Sequence, residues 1–311
     1  MNKSHLQSVY NQIKPYVHRT PVLTSQLLNE ISQVKLFFKC ENFQKMGAFK
    51  MRGATNAILN LTKEQQSKGV VTHSSGNFAQ ALSLAAKSIG VKAYIAMPKN
   101  APQVKKNAVL GYGGIIRECE PNTLAREAEA NKIQKETGAT FIHPSNDINV
   151  IYGQGTAAME LLEDYPELDY MFASVGGGGL LAGTILAANA FSNSCKVIAG
   201  EPANADDAYR SLISGKIEFN QTTNTIADGL RTNLGDKNFP IIKTGVERII
   251  LVEENEIIEV MKLIWERMKI IVEPSSAVAL AAVLKHKKNI KGKKVGVILS
   301  GGNVDISNLP F

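Results

Sequence analysis

Residues 170–183, YMFASVGGGGLLAG, carry the most direct chemical signal in the chain. An apolar, strand-like run gives way to four consecutive glycines, Gly176, Gly177, Gly178 and Gly179, and then to a stretch of helical composition. Each glycine costs chain entropy, so four together are a poor packing solution. They do let a ligand approach successive backbone N–H groups, and with the open N–H groups of the following helix they would cradle a phosphate dianion. A plain tight turn between strand and helix is the alternative. The same residues also satisfy G-x-G-x-x-A at Gly177, Gly179 and Ala182, with Glu201 ending the next strand-like run. That is the pattern of a dinucleotide-binding turn with its ribose-binding acid, so a nicotinamide-dependent oxidoreductase stays open.

The second signal is a lysine. In residues 41–54, ENFQKMGAFKMRGA, Lys50 lies between Phe49 and Met51. Lysines are ordinarily solvated surface charges, but an apolar collar favours the neutral amine, a nucleophile that forms a Schiff base with a carbonyl. A phosphate cradle and a Schiff-base lysine together specify an aldehyde that carries a phosphate, which is pyridoxal phosphate. Two further turns hold small polar residues, Ser74-Ser75-Gly76-Asn77 and Ser300-Gly301-Gly302-Asn303, and each follows a strand-like run. Singly, each is an ordinary cap or turn. Ligands of open α/β sheets sit beyond the carboxyl ends of the strands, so three such turns are expected to converge on one crevice.

The elements that must position these residues follow from periodicity. Strands are expected at 91–97, 114–117, 140–143, 170–175, 196–201, 248–252 and 294–299, and helices at 79–89, 180–190 and 254–267. Strands alternating with helices predict an α/β fold with mainly parallel sheets. The strands from Val71 to His143 read as one series and those after Gly153 as a second. A small domain, 71–146, inserted into a large one, 1–70 with 147–311, is the expected organisation.

Composition narrows the class. Of 311 residues, 44% are hydrophobic and 20% charged, with 25 Gly and 11 Pro, which excludes disordered, collagenous and coiled-coil chains. The net charge of +7 comes from 35 basic and 28 acidic side chains that are interspersed, so it does not point to nucleic acid. The one basic run, KHKKNIKGKK at 285–294, reads as a solvated helix C-terminus. Cys40, Cys119 and Cys195 are odd in number and widely spaced, as expected of reduced thiols. With no apolar leader and no membrane-length apolar stretch, a cytoplasmic protein without a membrane partner is expected.

From the H-R-T-P at 18–21 to the S-G-G-N at 300–303, the chain resembles the serine racemase and serine/threonine dehydratase family of fold type II pyridoxal phosphate enzymes. The resemblance implies two open twisted sheets flanked by helices, similar to the tryptophan synthase β subunit. It implies a Schiff base on Lys50, the phosphate held by Gly176–Gly179, and the ring packed near Phe49. Asn77 would lie by the phenolic oxygen and Ser300 by the pyridine nitrogen. A neutral hydroxyl there stabilises a carbanion less than an aspartate, which suits prompt expulsion of a β-substituent. The implied activity is deaminating dehydration of L-serine or L-threonine, with Lys50 taking the Cα proton.

In racemising relatives the second serine of the S-S-G-N turn, here Ser75, delivers a proton from the opposite face, while Ser74, Ser75 and Asn77 bind the substrate carboxylate. The resemblance also implies a structural Mg²⁺, Ca²⁺ or Mn²⁺ at Glu201, the Ala205 carbonyl and Asp207. ATP activation would involve Lys45, Lys105, Tyr112, Lys269 and Asn303, and a homodimer is expected. Phe78 stands where many relatives have histidine, Ser145 where they have Asn or Tyr, and Thr232 where some racemases have serine. Arg126 matches an arginine that meets a distal carboxylate, which raises 3-hydroxyaspartate as a substrate; its ordinary reading is a solvated helix arginine. A C-terminal regulatory domain, with feedback inhibition by isoleucine, is not expected.

Overall fold

A computed structural model describes residues 1–311 apart from the side chain of Thr123. Its strands are β1 (Val22–Leu23), β2 (Lys35–Cys40), β3 (Val70–Thr72), β4 (Ala93–Pro98), β5 (Ile115–Cys119), β6 (Thr140–Phe141), β7 (Tyr170–Ser174), β8 (Lys196–Pro202), β9 (Val246–Val252) and β10 (Lys294–Leu299). The helices are α1 (Lys3–Ile13), α2 (Gln26–Ser32), α3 (Lys50–Leu59), α4 (Lys63–Lys68), α5 (Asn77–Ile89), α6 (Gln103–Gly111), α7 (Thr123–Thr137), α8 (Ile148–Asp164), α9 (Gly179–Phe191), α10 (Asp207–Ser214), α11 (Phe239–Gly245), α12 (Glu254–Met268) and α13 (Pro274–His286).

Two sheets result. Six strands run in the order β1-β2-β10-β7-β8-β9, parallel except for β1, which pairs antiparallel with β2. Four parallel strands run in the order β5-β4-β3-β6. The α/β expectation holds, with the larger sheet mixed. The interior strands of the larger sheet bury both faces, and their side chains alternate between two cores. Met171 and Val197 pack with α8 and α9 residues such as Leu161 and Leu181, whereas Phe172 and Ile198 pack with α12 and α13 residues such as Ile264 and Val278. Helix α9 is apolar almost all round because it also lies on α8. A Cβ at Gly183 would stand 2.6 Å from Gly155 N, so the glycines set that approach.

Several expected boundaries shift for local reasons. Strand β4 starts at Ala93 rather than 91 because Val91 N–H bonds Ala86 O, closing α5 over the left-handed Gly90. Strand β5 starts at Ile115 because Gly114 N–H bonds Val109 O at the end of α6. Strand β6 is cut short where His143 Nδ1 accepts from Ser145 and Asn146 N–H, at 3.1 and 2.8 Å, and turns the chain. The larger sheet is not built only from the later strands, since β2 lies beside β10. All three cysteines are free thiols. Among the described residues no helix is long and apolar enough to cross a membrane. The carboxyl ends of β2, β3, β6, β7 and β10 lead into the turns that carry the site.

Candidate active site

Lys50 opens α3, whose N-cap, Phe49, makes no side-chain capping bond. The approach to the helix is fixed from the other side. Ala48 bridges Gly301, and Phe49 N–H donates to Ser300 O at 3.0 Å. The Lys50 amine donates to Pro144 O at 2.8 Å and lies 5.0 Å from the Phe49 ring centroid and 5.7 Å from that of Phe78. Burial lowers its pKa from 10.5 to about 8, against the charge of Glu273, which raises it. The sequence predicts an apolar collar from Phe49 and Met51; the structure sets the rings of Phe49 and Phe78 by the amine.

Pro144 links the lysine to the glycine turn, since the next residue, Ser145, lies on it. A Cβ at Gly177 would meet Ser145 Oγ at 2.4 Å and Thr232 Oγ1 at 2.9 Å; one at Gly176 would meet Leu230 Cα at 2.6 Å. Gly178 sits at φ +79° as the N-cap of α9, again without a side-chain cap. Asn238 Nδ2 donates to Gly177 O at 2.8 Å and to Ser145 O at 3.2 Å, fixing the orientation of that peptide. Among the described residues, the N–H groups of Gly177 and Gly178 donate to no protein group. Side-chain-free, uncapped and carbonyl-anchored, the turn fits a phosphate at the helix start.

The remaining turns converge as expected. Asn77 is the first residue of α5; its Nδ2 donates to both Glu273 oxygens at 3.0 Å, and its Oδ1 accepts from Asn303 Nδ2 at 2.9 Å. Ser300 Oγ is 3.1 Å from Ser276 Oγ, so a neutral hydroxyl pair lies at the end of β10. The N-cap of α5 is Gly76, with no side-chain cap, so Ser75 does not serve as one; Ser74 Oγ accepts weakly from Gly76 N–H at 3.4 Å. Phe78 is 2% exposed, an apolar wall by the amine in place of a histidine.

Sequence reasoning missed two groups. Glu273 is buried without an ion-pair partner among the described residues, and burial, reinforced by Asp228, pushes its pKa up to about 7. Glutamate before a proline at a helix start gives no hint of this. His143 borders the site through Pro144. Burial, with the charges of His73 and Lys50, takes its pKa down to about 4, so it stays neutral while Nδ1 holds the Ser145 turn. Its ring lies 5.6 Å from that of His73, whose pKa burial lowers, with Arg126 contributing.

Glu201, at the end of β8, accepts from Ala208 and Tyr209 N–H, both at 2.8 Å. It caps α10, which removes the ribose-binding role of the nicotinamide reading. Asp207 opens α10 and accepts from Asn220 Nδ2 at 2.8 Å and Leu234 N–H at 2.9 Å. Both acids are buried and raised in pKa by that burial, Glu201 further by the charge of Asp207. Two neighbouring buried carboxylates suit a hard divalent ion completed by waters. No cluster of three or more metal-ligating side chains occurs among the described residues.

Of the residues expected at a nucleotide site, Asn303 also donates to Met46 O at 2.8 Å, Lys105 is engaged by Asp228 at 2.5 Å, and Lys269 is exposed at the C-cap of α12.

Residues 13–301 match the family model described as pyridoxal-phosphate dependent enzyme. The chain is 51% identical over 310 residues to a serine racemase of Dictyostelium discoideum, covering 98% of this chain and 95% of that protein. It is 50% identical to a beta-hydroxyaspartate dehydratase of Paracoccus denitrificans, covering 98% of this chain and 96% of that protein. The structure of maize serine racemase superposes with a TM-score of 0.96 at 47% identity, covering 98% of this chain and 94% of that one. This chain belongs to the fold type II pyridoxal phosphate enzymes, in the serine racemase and dehydratase family. With the family shown, the nicotinamide reading of the glycine turn is set aside.

Proposed function

We propose that this enzyme deaminates small β-hydroxy amino acids by dehydration, L-serine and L-threonine first, with serine racemisation as a second outcome of the same site. The carrying observation is the Lys50 amine, held at 2.8 Å from Pro144 O between two aromatic rings, with a pKa near 8.

When bound, pyridoxal phosphate supplies an electron sink for charge that develops at the substrate Cα. Gly176–Gly179 and the start of α9 would hold its phosphate, with Phe49 beside its ring and Asn77 and Ser300 as the polar side chains for its phenolic oxygen and pyridine nitrogen. Lys50 is the residue that would anchor the cofactor aldehyde, and its amine, when free, would take the substrate Cα proton. Ser74, Ser75, Asn77 and the uncapped start of α5 bind the substrate carboxylate. Phe78 keeps water from the amine. The β-hydroxyl leaves as water, a water is taken up again when the released imine hydrolyses, and the products are a 2-oxo acid and ammonia. Where Ser75 returns a proton to the opposite face of Cα, the product is the D-amino acid instead.

Arg126 favours a second reading, 3-hydroxyaspartate, whose distal carboxylate it would meet. The Paracoccus relative carries that activity in its name.

A structural Mg²⁺, Ca²⁺ or Mn²⁺ at Glu201, Ala205 O and Asp207 belongs to the same proposal. So do ATP activation through Lys45, Lys105, Tyr112, Lys269 and Asn303, a homodimer, a cytoplasmic location, and the division into 1–70 with 147–311 and 71–146.

The test is an assay of 2-oxo acid and product chirality over L-serine, D-serine, L-threonine and the 3-hydroxyaspartate isomers. Ser75→Ala is expected to abolish D-serine formation and to spare elimination from L-serine. If D-serine still forms at the wild-type rate, the two-face assignment is wrong.

A further inference from the structure

Two residues beyond Lys50, the structure holds a buried charge cluster that the reaction does not use. Lys39, Glu41, Arg52 and Glu160 are each 0% exposed and come from β2, the turn after it, α3 and α8. The Arg52 guanidinium grips both acids in a two-pronged manner. Nε and Nη2 donate to Glu41 at 2.8 and 2.8 Å, and Nη1 and Nη2 donate to Glu160 at 2.8 and 2.9 Å. Lys39 closes the cluster on Glu160 at 2.6 Å and donates to Thr20 O at 2.6 Å; Thr20 Oγ1 donates to Glu41 Oε1 at 2.6 Å. Two cations and two anions cancel. Burial alone would strip Arg52 of charge and protonate Glu41; their mutual attraction instead holds Arg52 above and Glu41 below their ordinary pKa values.

Stability does not explain such a cluster, because apolar side chains of similar volume commonly serve as well or better in a core. A planar fork locked on two carboxylates provides direction instead. The direction matters here because the first turn of α3, which carries Lys50, has no side-chain cap. On α8, the residues facing it are Gly153, Thr156 and Glu160. A Cβ at Gly153 would stand 2.5 Å from Arg52 O, and Arg52 Nη1 donates to Thr156 Oγ1 at 3.2 Å. Backbone contact and guanidinium together fix both the height and the rotation of that first turn.

We propose that Arg52, with Glu41, Glu160 and Lys39, is the positioning device for Lys50. It holds the α-carbon of the lysine so that the amine reaches the cofactor aldehyde and, after displacement, the substrate Cα. The inference rests on the assignment of Lys50 as the Schiff-base lysine. A misplacement of about 1 Å by a residue away from the chemistry is enough for roughly a hundredfold loss in rate.

The experiment compares wild type with Arg52→Lys and with the apolar replacement Lys39→Met, Glu41→Leu, Arg52→Met and Glu160→Leu together. Borohydride reduction of each holoenzyme, followed by peptide mapping, first locates the pyridoxyl group. A label on another lysine overturns the Lys50 assignment itself. With the label on Lys50, three quantities are read: Tm, kcat against KM for L-serine, and the pH midpoint of Lys50 acetylation in the apoprotein. Positioning predicts, for any variant that retains its Tm, a kcat lower by about 30-fold or more, KM within about threefold, and an acetylation midpoint raised by roughly one unit as the amine leaves its pocket. A variant with wild-type kcat and midpoint overturns the proposal. So does a loss of activity that follows Tm while the midpoint stays put. If Arg52→Lys fails to fold, the apolar quadruple variant decides by the same readouts.

Discussion

The apoprotein should contain one lysine that titrates far from the rest. Desolvation between Phe49 and Phe78 takes Lys50 from 10.5 to about 8, a shift of roughly 2.5 units, equivalent to about 3.4 kcal/mol between its two protonation states. At pH 7 about one-tenth of it is then neutral, against about one in 3,000 for an ordinary lysine, a gain of roughly 300-fold in the nucleophilic form. Competitive acetylation of the apoprotein over a pH series, read peptide by peptide by mass spectrometry, measures this directly, with the exposed Lys288 as internal reference. The variants have opposite signs. Glu273→Gln removes the charge that raises Lys50 and should move the midpoint below about 8, whereas Phe78→His admits a polar group and should move it up. Linkage gives a second readout. Because the folded pKa is depressed, the unfolded chain binds the extra proton between about 8 and 10.5, so this group adds stability as pH rises through that window and takes it away as pH falls. Lys50→Met should therefore stabilise the apoprotein at pH 7 by up to about 3 kcal/mol and flatten that limb. A Lys50 midpoint near 10.5 would refute the desolvated amine and the chemistry built on it.

Two further outcomes test the supporting parts. Gly178→Ala places a Cβ at φ +79°, 2.7 Å from Leu234 Cδ2 and 2.8 Å from Asn238 Oδ1. Left-handed strain of about 1–2 kcal/mol should weaken pyridoxal phosphate binding by roughly 5- to 30-fold in fluorescence titrations of the apoprotein, and unchanged affinity would remove the phosphate role of the turn. Millimolar Mg²⁺ or Ca²⁺ should raise the Tm of wild type and not of Asp207→Asn, since the ion would relieve the repulsion between Glu201 and Asp207. Equal responses in both proteins would place any ion elsewhere.

What could be read from the sequence was what chain-local rules control. Strand β10 begins and ends where its apolar run does, and the glycine turn follows β7 directly, because a buried parallel strand must be apolar throughout and a helix start beside a phosphate must lack side chains. Strand β2 was missed because KLFFKC carries next to its end a lysine, Lys39, that only a distant partner, Glu160 on α8, makes burial-compatible. Glu273 was missed for the same reason: what makes it a site residue is Asn77, 196 positions away. Ser75 reads locally as a helix cap, yet the structure gives the N-cap to Gly76 and leaves the serine for other work.

Two buried titratable groups of the pocket explain how such a site can be both dry and reactive. Glu273 near 7 and Lys50 near 8 are each displaced toward their uncharged forms by burial, and each acts on the other: the carboxylate charge raises the lysine. Coupled groups release protons as a pair, so the pH range between about 7 and 8 changes the proton inventory of the pocket rather than of one residue. Within that range Asn77 is the reporter. With Glu273 ionised, its carboxylate takes the Asn77 amide hydrogens while Asn303 donates to the amide oxygen, so the amide has one orientation. With Glu273 protonated, the carboxyl can donate as well as accept, and that orientation is no longer imposed. The neutral Ser300–Ser276 pair at the end of β10 has no such switch. Within that range the groups that change charge are thus Lys50 and Glu273, with Asn77 held by the latter.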